Sequence, residues 1–114
     1  MQVHYLEIVS DDVSATCAAY EASLGVSFSE PEAALGNARL ATMRDGGIVG
    51  VRAQLSPGEP MVVRPYWLVA DIEKSVSAAV AAGAQIAHPP LEIPGRGTFA
   101  IYAVGDVHHG LWQL

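Results

Sequence analysis

At 114 residues the chain has room for one compact domain and none for a second. Its 12 acidic residues outnumber 6 basic ones, and a net charge of −6 excludes the basic stripe that a nucleic-acid surface requires. The single cysteine, Cys17, excludes an internal disulfide and fits a reducing compartment.

The chain opens with MQVHYLEIVS, which has neither a basic start nor a long apolar run. No signal peptide or membrane span is expected, and a cytoplasmic location follows as the default. Residues 3–10 alternate, with Leu6 and Ile8 on one face and Tyr5 and Glu7 on the other, the period-two signature of a strand. Asp12 is placed to cap a helix over 13–24, in which Val13, Cys17, Tyr20 and Leu24 share a face. Gly25 stops that helix. A short strand is expected over 26–30, a loop over 31–36, then a hairpin of strands 37–44 and 47–54 around Asp45, Gly46 and Gly47. In the latter strand Gly50, Arg52 and Gln54 share the face opposite Val49, Val51 and Ala53.

Residues 55–61, LSPGEPM, read as a linker. The fifth strand places Arg64, Tyr66 and Leu68 on one side and Trp67 and Val69 on the other. Asp71 caps a second helix with Ile72, Val76, Ala79 and Val80 on one face, stopped by Gly83. Pro89 is expected to end the following strand, because it cannot donate to a ladder. The segment PPLEIPGRG then reads as a loop. Two closing strands follow, TFAIYAV and HHGLWQL, with His108, Gly110 and Trp112 on one face.

Landmarks recur at a near-constant interval. Asp12 and Asp71 lie 59 apart, Gly25 and Gly83 58, Pro31 and Pro89 58, Gly50 and Gly110 60. A duplicated βαβββ unit explains this spacing. The first unit is expected over 1–56, with the linker near 55–61 and the second unit over 62–114. Neither unit covers its own sheet, so the two should pack into one domain, 1–114.

WLVADIEKSVSAAVAAGAQIAHPP, IPGRGTFAIYA and GLWQL in the second half, and more weakly YLEIVSDDVSATCAAYEASLGV in the first, resemble the vicinal oxygen chelate superfamily. This is the glyoxalase/bleomycin resistance protein/dioxygenase fold. The resemblance implies an α+β fold: two βαβββ units forming a curved, mixed, eight-stranded sheet around a cavity, helices outside, completed in a homodimer. It implies a small organic ligand and names no reaction, because the fold hosts lyases, dioxygenases, epimerases and metal-free drug-binding proteins.

Many members hold a divalent metal on the first and last strand of each unit. Carried onto this chain, those positions hold Tyr5, Gly50, Arg64 and Gly110. Two glycines offer no donor and an arginine repels a cation, so a metal-free protein without cofactor is expected. A one-residue slip of the first strand gives the alternative, a metal site at His4, Glu7 and His108. Without the slip, His4 is expected on the helix-packing face, and His108 and His109 in a short turn.

Glu7 is the best candidate for a catalytic base, but an ion pair with Arg52 or Arg64, compatible with ligand contact, is the favoured reading. The candidate ligand-binding residues are Tyr5, Glu7, Arg52, Arg64, Tyr66, Arg96, His108 and Trp112. Tyr66, Tyr102 and Trp112 offer an aromatic wall, though Tyr102 reads more naturally as core. Arg96, between Gly95 and Gly97, suits a lid with an anion contact. The leading expectation is therefore a metal-free small-molecule-binding protein. The alternatives are a metal-dependent lyase or dioxygenase, or a metal-free enzyme with Glu7 as base.

Overall fold

The computed structural model describes residues 2–114. Elements follow in the order β1 (Val3–Val9), α1 (Val13–Leu24), β2 (Arg39–Thr42), β3 (Ile48–Arg52), β4 (Val62–Leu68), α2 (Ile72–Ala81), β5 (Gln85–Ile93), β6 (Gly97–Val104) and β7 (Val107–Gln113). One 3-10 turn, Ala33–Leu35, lies between α1 and β2. Among the described residues the fold is α+β, with two helices and seven strands rather than the eight expected. No described helix is long and apolar enough to cross a membrane.

The chain divides into two compact units, one of Tyr5–Val63, the other of Arg64–Leu114 together with Gln2, Val3 and His4. In the first, β1 runs parallel to β3, pairing Glu7 with Gly50, and β2 runs antiparallel to β3. Asp12 caps α1, its Oδ1 accepting from the Ala15 amide at 3.0 Å, and Gly25 closes the helix at φ 67°. Ile8, Cys17, Val49 and Val51 form the core under α1, with Leu6, Val13, Tyr20, Phe28 and Met43 packed against it. Leu6 and Ile8 therefore face α1, as alternation predicts. Leu24, in the last helical turn, does not join them and is 56 % exposed.

The strand expected over 26–30 does not form. Ser29 alone reaches β2: its amide donates to the Leu40 carbonyl, but the Leu40 amide is taken by the Ser29 hydroxyl. The Ser29 carbonyl instead accepts from Arg39 Nε. A side chain thus replaces the backbone bond that would extend the ladder.

In the second unit β4 runs parallel to β7, pairing Tyr66 with Gly110, and β6 lies antiparallel to both β7 and β5. Asp71 caps α2, and Gly83 follows its end at φ 106°. Ile72, Val76, Ala100 and Leu111 are the core, with Trp67, Val69 and Tyr102 against it. Val80, expected on the buried face, is 44 % exposed in the last turn. Tyr102 belongs to this helix-side core and not to an aromatic wall. Pro89 does not end its strand: β5 continues through Pro89 and Pro90 to Ile93. It is paired only to β6, with register shifts around His88, and an edge strand accommodates a residue lacking N–H. The expected lid shrinks to a tight turn at 94–96, closed by the Arg96 amide on the Ile93 carbonyl at 2.9 Å.

Burial pushes the Cys17 thiol up from its ordinary range, and the residue is 1 % exposed. Native protein is therefore expected to leave Cys17 unmodified by a thiol reagent and denatured protein to react fully, which an absorbance assay reads directly.

Candidate functional site

Each unit carries one buried cluster on the sheet face opposite its helix. The clusters sit at corresponding positions. The Ser10 amide donates to the Arg52 carbonyl in one unit, and the Val69 amide donates to the Trp112 carbonyl in the other, both at about 2.9 and 2.8 Å respectively. Glu7 opposite Gly50 thus corresponds to Tyr66 opposite Gly110, and Arg52 to Trp112.

In the first unit the cluster is ionic. Arg52, 5 % exposed, donates from Nε to Glu7 Oε2 at 2.8 Å. Its other two nitrogens reach Glu59 Oε1 and Oε2 at 2.9 and 2.7 Å. Glu59 Oε1 also accepts from the Leu55 amide, which ties residues 55–59 down onto Arg52. The hydrogen bonds to Glu59, and then those to Glu7, hold the guanidinium charged against the cost of burial. Tyr5 lies with its ring over Gly50, where any added Cβ would collide with it. Glu59 escaped the sequence reading because it sits in a Pro/Gly turn, where carboxylates are ordinarily solvated.

In the second unit the cluster is aromatic. Tyr66 and Trp112 meet edge to face with centroids 5.9 Å apart, and Tyr66 meets Phe99 likewise at 6.2 Å. Tyr66 lies across Gly110, where an added Cβ would strike its ring. Trp112 Nε1 donates to the Arg96 carbonyl at 3.0 Å. His4 stands against Trp112 with ring centroids 5.5 Å apart. His88 covers Phe99 at 4.7 Å. Neither Phe99 nor His88 was singled out from sequence. Phe99 was within reach, since the β6–β7 hairpin pairs it with Trp112. His88 was not, because the β5 irregularities break simple parity.

The remaining candidates are dispersed. Arg64 is buried and Arg96 half-buried, while His108 is exposed. His108 and His109 belong to β7 rather than a turn, and His109 stacks on Tyr102 at 5.2 Å.

The two glycine positions are roofed by tyrosine rings, and among the described residues no three His, Cys, Asp or Glu side chains are grouped to hold an ion.

No family model matches the chain. It is 33 % identical over 96 residues to "Putative glyoxylase CFP32" of Mycobacterium tuberculosis and Mycobacterium bovis. That match takes in 83 % of this chain but spans only 37 % of the relative's length. A hypothetical protein of Bacillus halodurans superposes with a TM-score of 0.74 at 12 % identity, covering 99 % of this chain and 94 % of the other. The chain has the vicinal oxygen chelate fold. Methylmalonyl-CoA epimerase of Mycobacterium tuberculosis shares this fold, with a TM-score of 0.73 at 13 % identity over 96 % of this chain and 85 % of its own.

Burial lowers the His4 pKa from the usual imidazole value. Protonated His4 is thus favoured in the unfolded chain. As pH falls through the ordinary imidazole range, near 6.5, the unfolded state binds the proton first and stability declines. A His4→Phe variant is expected to flatten this part of the stability–pH curve, as urea melts between about pH 7.5 and 5.5 will read.

Proposed function

We propose that the protein binds a small, flat, largely apolar molecule against the half-buried Phe99, the open end of an aromatic floor whose other rings, Tyr66 and Trp112, are buried behind it, without a divalent metal. The observation that carries this reading is Tyr66 lying across Gly110. It puts a ring where the fold's metal-binding members, by the resemblance, place a donor, and it joins that ring to two more. Offset and edge-to-face ring arrays suit a planar guest and hold no charge for an ion. Glu7 does not favour a base, because its Oε2 is committed to Arg52 in a buried pair. Arg52 belongs with that pair, and Tyr5 with the ring packed on Gly50. Arg64, Arg96 and His108 remain proposed contacts for a polar end of the ligand.

The epimerases offer acyl-CoA as a rival ligand, and one from Streptomyces coelicolor was solved with 2-nitronate-propionyl-CoA. A net charge of −6 disfavours so anionic a molecule in this chain. A thermal-shift screen of small aromatics beside acyl-CoA esters separates the two, since specific binding raises Tm. Aromatic hits lost in Phe99→Ala support the floor. Stabilisation by acyl-CoA alone would replace it.

A homodimer is part of the proposal. Ile86, Val104 and Val107 are each about half exposed or more on the second unit, apolar surface suited to a second copy. Light scattering at tens of micromolar, roughly the concentration at which a stable interface holds, should return twice the 12.0 kDa chain mass. A monomer there would count against it.

A further inference from the structure

The ring array is closed at one end by His88, and the hydrogen bond this residue makes fixes which tautomer it presents. His88 Nδ1 lies 2.7 Å from the Pro89 carbonyl oxygen. A carbonyl oxygen can only accept, so Nδ1 must carry the proton. In neutral imidazole the other nitrogen, Nε2, is then an acceptor with its lone pair in the ring plane. No described residue hydrogen-bonds it. The ring itself is half-buried and tilted 31° on Phe99, centroid to centroid 4.7 Å. Phe99 in turn leads to Trp112 at 6.4 Å, again tilted by 31°. Leu91, paired with Phe99 across the β5–β6 ladder, is 51 % exposed at the same end of the floor.

The surface at this end thus combines a half-open aromatic face, an exposed leucine and one in-plane acceptor. From this, resting on the reading that the floor is the ligand site, we infer that His88 is a specificity-determining residue and that the ligand is a planar aromatic carrying a hydrogen-bond donor, a phenol-type hydroxyl or ring N–H. The guest lies against Phe99 and donates to His88 Nε2. An ether or a simple hydrocarbon of the same shape fills the same area but leaves Nε2 unpaired once water is displaced, which is the costly half of such recognition. A carboxylate in place of the hydroxyl fails for a different reason: it brings a second acceptor to an acceptor.

The position on β5 is consistent with this role. The Nδ1–H bond to the adjacent Pro89 carbonyl holds the plane of the ring.

The test compares β-naphthol with its methyl ether by calorimetry. The wild-type chain is expected to bind the naphthol about tenfold more tightly, the worth of one hydrogen bond otherwise left unmade. His88→Phe keeps a ring on Phe99 and deletes the acceptor. It should reduce naphthol affinity to that of the ether and leave the ether unchanged. Equal affinities in the wild type, with both lost in Phe99→Ala, would overturn the role of His88 and leave the floor standing. No binding of either probe would remove the floor, and the inference with it. His88→Phe that folds, by its urea midpoint, yet keeps the tenfold preference would also overturn the assignment.

Discussion

Replacing Arg52 by methionine is expected to cost about 3–5 kcal/mol, the usual penalty for breaking a buried ion pair by removing one member. At this chain length that is a fall in Tm of roughly 10–20 °C, enough to threaten folding in a domain whose total stability is of order 5–15 kcal/mol. The reason lies in what Arg52 neutralises. Glu7 is 8 % exposed and leans on Arg52 Nε at 2.8 Å, while Glu59 takes the other two nitrogens. Without the guanidinium two carboxylates are left in one place. Glu59 lies in a loop and can turn toward water, but Glu7 is held in the middle of β1. The double variant Glu7→Leu with Arg52→Met should therefore recover more than half the loss, since a well-packed apolar pair often replaces a buried ion pair at little cost. Urea denaturation reads both. An Arg52→Met chain within about 1 kcal/mol of the wild type would mean that the pair behaves as a solvated surface bridge.

The second large effect is expected at Gly97. It begins β6 at φ 129°, and a Cβ there would run into the Gln113 carbonyl oxygen and Trp112 Nε1. One of those is backbone in the closing strand and cannot swing aside. Gly97→Ala should combine backbone strain with overpacking, about 2–5 kcal/mol together. It should also disturb the Trp112 bond to the Arg96 carbonyl. Gly46, at φ 89° in the β2–β3 turn, has open space where its Cβ would go. Gly46→Ala pays strain alone, about 1–2 kcal/mol. Comparable losses at the two positions would show that the contact with β7 contributes nothing.

What could be read in the sequence was the periodic part. Alternation in β1 assigned Leu6 and Ile8 to the α1 core, and the Asp caps and Gly stops marked both helices closely. What escaped depended on groups that periodicity does not track. The strand over 26–30 had suitable residues, but the Ser29 side chain takes the bond a ladder needs. Pro89 is a stop only where its missing N–H would be missed, and edge position is a tertiary property. Helix faces were drawn one turn too far at Leu24 and Val80, both exposed in the last turn of their helices. In the site, the pairing of Glu7 with Arg52 was one of two arginine choices left open by parity. Glu59 completes it from a loop seven residues beyond Arg52, a contact set by the turn's shape and not by any spacing rule. The glycines at 50 and 110 were read as missing ligands. In the fold each is the bare patch on which a tyrosine ring lies.

The proposal of a metal-free aromatic site rests on that last point: rings lie at two of the positions where, by the resemblance, metal-binding members place donors. The most direct test is the metal content of tag-free protein by elemental mass spectrometry, after purification without chelator and with divalent ions supplied during growth. The account predicts well under one divalent ion per chain, unchanged in Glu7→Gln and His4→Phe. One ion per chain, lost in either variant, would contradict it and return the metalloenzyme reading to first place.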